Sequence, residues 1–153
     1  MSTTVNVDDF HTLTGRHLGY SDWVTVEQER VNQFADATGD HQWIHVDIER
    51  ANNGPFGGPI AHGYLTLSMI PELLDQVLTV ADTTSGVNYG CNRVRFPAPV
   101  PVGSQIRLGV AVAAVDPVPG GVQVVLDATV EVGDAAKPSC VAQVIFHYYN
   151  QPV

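Results

Sequence analysis

Along the chain, apolar residues crowd together once and alternate with polar ones three times. The crowded stretch runs from Ile60 to Val80, IAHGYLTLSMIPELLDQVLTV. Wound as a helix, its Tyr64, Leu65, Leu67, Met69, Ile70, Leu73, Leu74, Val77 and Leu78 cover nearly the whole circumference, where a surface helix shows one apolar stripe. Such a helix has to be surrounded. The alternating runs follow it: Ile106, Leu108, Val110, Val112 and Ala114; Val122, Val124, Leu126, Ala128, Val130 and Val132; and Cys140, Ala142, Val144, Phe146 and Tyr148. In each the even positions are all apolar while the polar residues fall at odd ones, the pattern of a strand with one buried face. Short turns at 117–121 and 133–138 make the three antiparallel neighbours. The pattern therefore predicts an α+β fold with a curved antiparallel sheet around one helix. Pro71 removes a helical hydrogen bond, which predicts a kink or two helices in series.

The rest of the chain is less regular. Residues 1–20 read as an irregular lead-in with a short helix over Val7–Thr14, and Ser21–Val26 as a short strand. Thr25 and Gln28 fit a capping box that opens a helix, Val31, Phe34 and Ala35 give it a buried stripe, and Gly39 ends it. Asp47–Asn53 predicts a short polar helix and Asn53–Pro59, NGPFGGP, a loop. Gly57 and Gly58 let backbone approach a ligand there, or serve a plain connector. Thr83–Phe96 holds one further strand whose buried face the pattern does not assign.

At 153 residues the chain suits a single domain, 1–153, with a core that needs neither disulfides nor structural metal. Charged and proline residues interrupt the apolar stretch, which argues against a membrane span, and residues 1–13 lack the features of a signal peptide. Cys91 and Cys140 read as reduced thiols, so a cytoplasmic location is expected. The net charge of −9 opposes nucleic-acid binding. Residues 1–82 hold 12 acids and 3 arginines, whereas residues 83–153 hold 4 acids and 4 bases. An anionic ligand would have to be met by that second set, and Arg93 and Arg95, two apart on a strand, share a face. They bind such a ligand, or are solvated or paired like most surface arginines.

Asp40 and His45 are a carboxylate and an imidazole placed between regular elements, able together to take a proton from a water and return one to a substrate. The alternative is a helix-capping Asp40 and a packed His45. His41 and His45 stand four apart as in H-E-x-x-H, but Gln42 is no general base, so no metal is expected. His62 is either a ligand or a residue satisfied by backbone groups. The N–H groups of His62 and Gly63, at the start of the apolar helix, are suited to an oxyanion, although Gly63 can also serve packing alone. G-x-S-x-G, P-loop and G-x-G-x-x-G motifs do not occur.

FADATGDHQWIHVDIERA (34–51) and GPFGGPIAHGYLTLSMIP (54–71) resemble the hydratase motif and helix entry of MaoC-like (R)-specific enoyl-CoA hydratases, and RVRFPAPVPVGS (93–104) is similar to a further segment of them. The chain looks close to the mycobacterial-type single-domain members. The resemblance implies the hotdog fold, a homodimer, and hydration of a trans-2-enoyl-CoA without cofactor. It implies Asp40 and His45 as catalytic residues, Gly63 as the oxyanion N–H, and substrate entry along the loop that carries Gly57 and Gly58; His62 by its chemistry and Arg93 and Arg95 by their charge are expected in the binding region. Gln42 and Trp43 stand where the family's D-x-N-P-x-H has Asn and Pro. Two rival activities share the fold: a thioesterase, and a non-catalytic acyl-binding subunit.

Overall fold

The computed structural model describes residues 2–152. The three alternating runs are strands β6 (Gln105–Val118), β7 (Gly121–Val132) and β8 (Cys140–Tyr149), antiparallel and in sequence order. β2 (His17–Tyr20) extends the sheet beyond β6 and β5 (Ser85–Arg95) beyond β8, giving the order β2-β6-β7-β8-β5, with β3 (Val24–Thr25) also on β6. The even positions face inward as the alternation requires: Ile106, Leu108, Leu126, Val130 and Cys140 are fully buried. A register shift between Val112 and Ala114 ends that regularity and leaves Ala114 half-buried. Burial also pushes the Cys140 thiol up to about 11, which keeps it protonated and inert at neutral pH.

The apolar stretch divides. α4 (Gly63–Ser68) and α5 (Ile70–Leu74) meet at Met69. Pro71 lies in the first turn of α5, where a missing N–H costs nothing, so two helices in series replace one long one. Ile70, Leu73 and Leu74 fill the concavity of the sheet. The helix is shorter than the pattern suggests, because Leu78–Val80 forms strand β4, parallel to β1 (Thr3–Val5). Nor is it covered all round: Tyr64 is exposed and Leu67 half-buried.

Two further expectations change. Residues 2–20 are more regular than an irregular lead-in: the short helix expected there is a 3₁₀ helix (Val7–Leu13) that places Val7, Phe10 and Leu13 in the core against β6 and β7, and β1 and β2 flank it. The Thr25 capping box does not form. Glu27 is the N-cap of α1 (Gln28–Thr38), without a side-chain bond, because Thr25 is held in β3 and the Gln28 amide turns to the carbonyl of His45. Gly39 ends α1 with φ 82°, as expected of glycine.

β5 is solvent-exposed along almost its whole length. Its inner edge pairs with β8, and shifts between Asn88 and Gly90 and between Cys91 and Arg93 bulge it. Its outer edge has no partner strand among the described residues, and Val87 and Tyr89 are exposed. No helix among the described residues is long and apolar enough to cross a membrane.

Candidate active site

After Gly39 the chain turns sharply. The carboxylate of Asp40 accepts the N–H of Gln42 (3.3 Å), which bends the backbone into the single turn α2 (Trp43–Val46). α3 (Ile48–Asn52) follows at once, its N-cap Asp47 accepting the N–H of Arg50 (3.1 Å). Trp43 stands where the related motif has proline; the Arg50 guanidinium lies 4.2 Å over its ring, and a Cβ on Gly54 would come 2.9 Å from that ring. The motif's departure therefore fastens α2 to the start of the glycine-rich loop.

α2 turns His45 inward, where it is 6% exposed. Its Nδ1 donates to the carbonyl of Ile60 (2.7 Å), and its own carbonyl accepts from Gln28 (2.8 Å). With Nδ1 protonated, Nε2 carries the lone pair of the neutral ring. Burial lowers the His45 pKa, partly offset by the bond to Ile60 and reinforced by the neighbouring His62. The ring thus stays neutral into mildly acidic solution, ready to accept a proton. Asp40 is exposed beside it.

A cavity of about 370 Å³ opens in front of His45 and Gly63, walled by Thr66, Ser139, Phe56 and the 96–100 connector. Most of that wall is apolar. The N–H of Gly63 has no acceptor among the described residues. A Cβ there would lie 2.8 Å from the Phe96 ring, so close packing requires glycine at this position whether or not its N–H serves a substrate. α4 spans only six residues, and the expected support from a long helix dipole is correspondingly weak; a direct hydrogen bond from the Gly63 N–H is what the geometry offers. Gly57 takes φ 70°, a turn that glycine accommodates, and the loop it shapes sends Phe56 to the cavity. Gly57 and Gly58 themselves do not line it.

His62 lies behind this front, 2% exposed. Its ring stacks on His45 with centroids 3.8 Å apart, and its Nε2 donates to the backbone carbonyl of Asp40 (2.9 Å). A ring nitrogen of each histidine and a carboxylate oxygen of Asp40 all fall within 4.8 Å of one another. This is a possible metal-binding donor set in composition, but not in orientation: imidazole lone pairs lie in the ring plane, and two planes only 23° apart do not converge on one ion about 2.1 Å from both. His41 turns away to Asp36 (2.9 Å), whose hydrogen bond raises its pKa.

Arg93 and Arg95 do share a face. They stand opposite Gln143 and Val141 on the side of the sheet away from the core, and form no ion pair among the described residues. Arg93 lines a separate shallow groove with Asp127 and Gln143. The chain's own fold brings Asp40, His45, His62 and Gly63 together and leaves both arginines apart. Phe56, Phe96, Thr66 and Ser139 went unnoticed in the sequence. Phe56 and Phe96 had one available signal, an aromatic residue inside a Gly/Pro-rich loop that has no core to bury it.

Residues 9–133 match the MaoC like domain family. The chain is 53% identical over 149 residues to 3-hydroxyacyl-thioester dehydratase Z of Mycobacterium tuberculosis, covering 97% of this chain and 99% of that protein. Among solved structures it is similar to an R-hydratase from Pseudomonas aeruginosa, with a TM-score of 0.71 and 21% identity over 90% of this chain and 83% of that one. The (R)-hydratase from A. caviae gives the same TM-score and identity over 87% of this chain and 94% of that one. These structures share its hotdog fold, and the sequence match establishes descent: the chain belongs to the MaoC-like family of hydratases and dehydratases.

Proposed function

We propose that this protein is an (R)-specific enoyl-CoA hydratase, adding water reversibly to a trans-2-enoyl-CoA to give the (R)-3-hydroxyacyl-CoA. The observation that carries this reading is His45: buried, fixed in one tautomer by Ile60, and lining the same cavity as Gly63, with Asp40 beside it. A thioester carbonyl hydrogen-bonded to the Gly63 N–H draws electron density from C3. Asp40 and the Nε2 of His45 hold the water, which loses one proton as its oxygen bonds to C3, and C2 gains a proton to complete the addition. The apolar wall of Phe56, Phe96 and Val100 suits an acyl chain. No cofactor takes part in this sequence of steps.

The same reading makes the protein a homodimer joined along the outer edge of β5, an exposed 11-residue strand with unpaired backbone groups. The free thiols Cys91 and Cys140 are consistent with a reducing cytoplasm. On that seam Arg93 and Arg95 would serve the neighbouring subunit's substrate, offsetting the repulsion between CoA phosphates and an acidic protein. Replacing both by alanine is expected to raise KM for a CoA thioester and to matter much less for a pantetheine thioester, which lacks the nucleotide phosphates. Equal losses on both substrates would reject the phosphate role.

The low pKa of His45 gives a pH prediction. Neutral His45 is the proton-accepting form, so kcat/KM should hold through pH 6.5, the ordinary histidine value, and fall only below it. Stability follows the same sign. Below about pH 6.5 the unfolded chain binds a proton at His45 that the folded chain refuses, so folding weakens as pH falls through that window. A rate profile measured from pH 5 to 8 checks the first claim; an acid limb above 6.5 would contradict it. Assay with crotonyl-CoA, monitored for loss of the enoyl absorbance and separately for free thiol, tests the activity itself. Release of thiol would indicate a thioesterase.

A further inference from the structure

We infer that His62 is a positioning residue for the reaction, fixing Asp40 and His45 relative to one another through its two faces of contact; this rests on the hydratase reading above. The two catalytic side chains come from different local structures. Asp40 belongs to the turn after α1, and His45 to the one-turn helix α2. A four-residue helix has little stability of its own. Something else has to set the spacing between a carboxylate and an imidazole that share one water, since a shift of about 1 Å can cost ~10²-fold in rate.

His62 contacts both. Its Nε2–H is bonded to the Asp40 carbonyl (2.9 Å), holding the backbone from which the carboxylate projects. Its ring lies face to face with that of His45, centroids 3.8 Å apart, and the Phe34 ring of α1 touches it at 4.8 Å. His45 is therefore held at three points: its Nδ1 by Ile60, its carbonyl by Gln28, and its ring face by His62. An apolar ring could supply the stacking and an amide could supply the hydrogen bond. Histidine supplies both from one side chain.

Burial also carries a cost that packing alone does not explain. With Nε2 donating, Nδ1 is an acceptor, and it is buried without a partner among the described residues. A leucine or phenylalanine would fill the space without leaving that atom unsatisfied. The titratable groups facing His62 are Asp40 from the turn and His45 from α2, while α1 presents the uncharged Phe34. Two stacked imidazoles resist a second proton, so His62 also favours the neutral, proton-accepting state of His45.

Two substitutions separate the contacts. His62→Gln can place an amide N–H near the position of Nε2 and loses the stack; His62→Phe keeps a stacked ring and loses the donor. In His62→Phe, kcat is expected to fall roughly 10- to 10²-fold with little change in KM, and His62→Gln should recover part of that loss. In both variants the His45 ring, followed by its imidazole ¹⁵N resonances as pH is varied, should titrate higher than in wild type. A merely structural role would lower Tm and leave that titration and the split between kcat and KM unmoved. Folded His62→Phe with wild-type kcat and an unchanged His45 titration would overturn the inference. If His62→Phe does not fold, an unchanged His45 titration in His62→Gln would do so. The resonance measurement needs no turnover, so a wild-type protein that fails to hydrate enoyl-CoA would reject the proposed function while leaving the coupling of His62 to His45 to be decided separately.

Discussion

Asp40→Asn and His45→Gln should each lower kcat by ~10²-fold or more, the usual cost of removing a general acid or base, while leaving the fold in place. Both changes are mild structurally. Asp40 is exposed, and asparagine retains an oxygen able to accept the N–H of Gln42. Glutamine at 45 keeps a donor that can reach the Ile60 carbonyl. What each variant loses is the capacity to take and return a proton. If the two residues act on one water, the double variant should fall little further than the worse single one, because residues acting as a unit are not additive. Circular dichroism and steady-state rates on the same preparations check this. Turnover near wild type in either single variant would place the chemistry elsewhere.

The second large effect concerns assembly. Lysine at both Val87 and Tyr89 should convert a dimer of 16.4 kDa subunits to monomer, read by analytical ultracentrifugation at micromolar concentration. Both side chains are exposed on β5 and lie near the middle of its edge. Adding charge to the middle of a strand-to-strand seam leaves it either desolvated or repelled by its copy across the two-fold axis. Lysine at 89 gives up the stack of Tyr89 on His147 of β8 (centroids 4.1 Å), but the backbone ladder between β5 and β8 remains, so each subunit should keep its fold. A wild-type protein that sediments as a monomer would refute the dimer outright. An unchanged dimer after substitution would move the interface away from β5.

How far the sequence revealed this arrangement depended on whether the deciding physics was local. The three strands β6, β7 and β8 were legible because each buries one face, and a half-buried strand writes its alternation into the residues. β5 was only half legible. Exposed on both faces within one chain, it has no buried side to create a pattern, and its two bulges break the period further. The end of the apolar stretch was misread for a related reason: Leu78–Val80 is as apolar as the helix before it, and only pairing with the distant Thr3–Val5 makes it a strand. That pairing also makes Thr3–Val5 a strand. The Thr25 capping box failed because β3 holds the Thr25 backbone as strand and the His45 carbonyl takes the Gln28 amide.

The site divides along the same line. Asp40 and His45 were visible as a spaced pair in one segment, and Gly63 at the mouth of an apolar stretch. His62 was placed in the binding region and not between the catalytic pair, since nothing local shows that its ring lies on His45 or that its Nε2 meets the carbonyl of Asp40, 22 positions earlier. Phe96 was hidden in a connector, although its ring sets the need for glycine at position 63. Contacts between segments far apart in the chain leave no periodic trace, and they are what make the cavity.

In the proposed reaction Asp40, His45 and Gly63 direct water to C3 of an enoyl thioester and not to its carbonyl carbon. This is tested most directly by incubating the purified protein with crotonyl-CoA and determining the product by chiral separation, with free thiol measured in parallel. Loss of the enoyl absorbance, formation of (R)-3-hydroxybutyryl-CoA and no release of thiol are the expected results. Release of free CoA, or the (S) product, would contradict the proposed reaction.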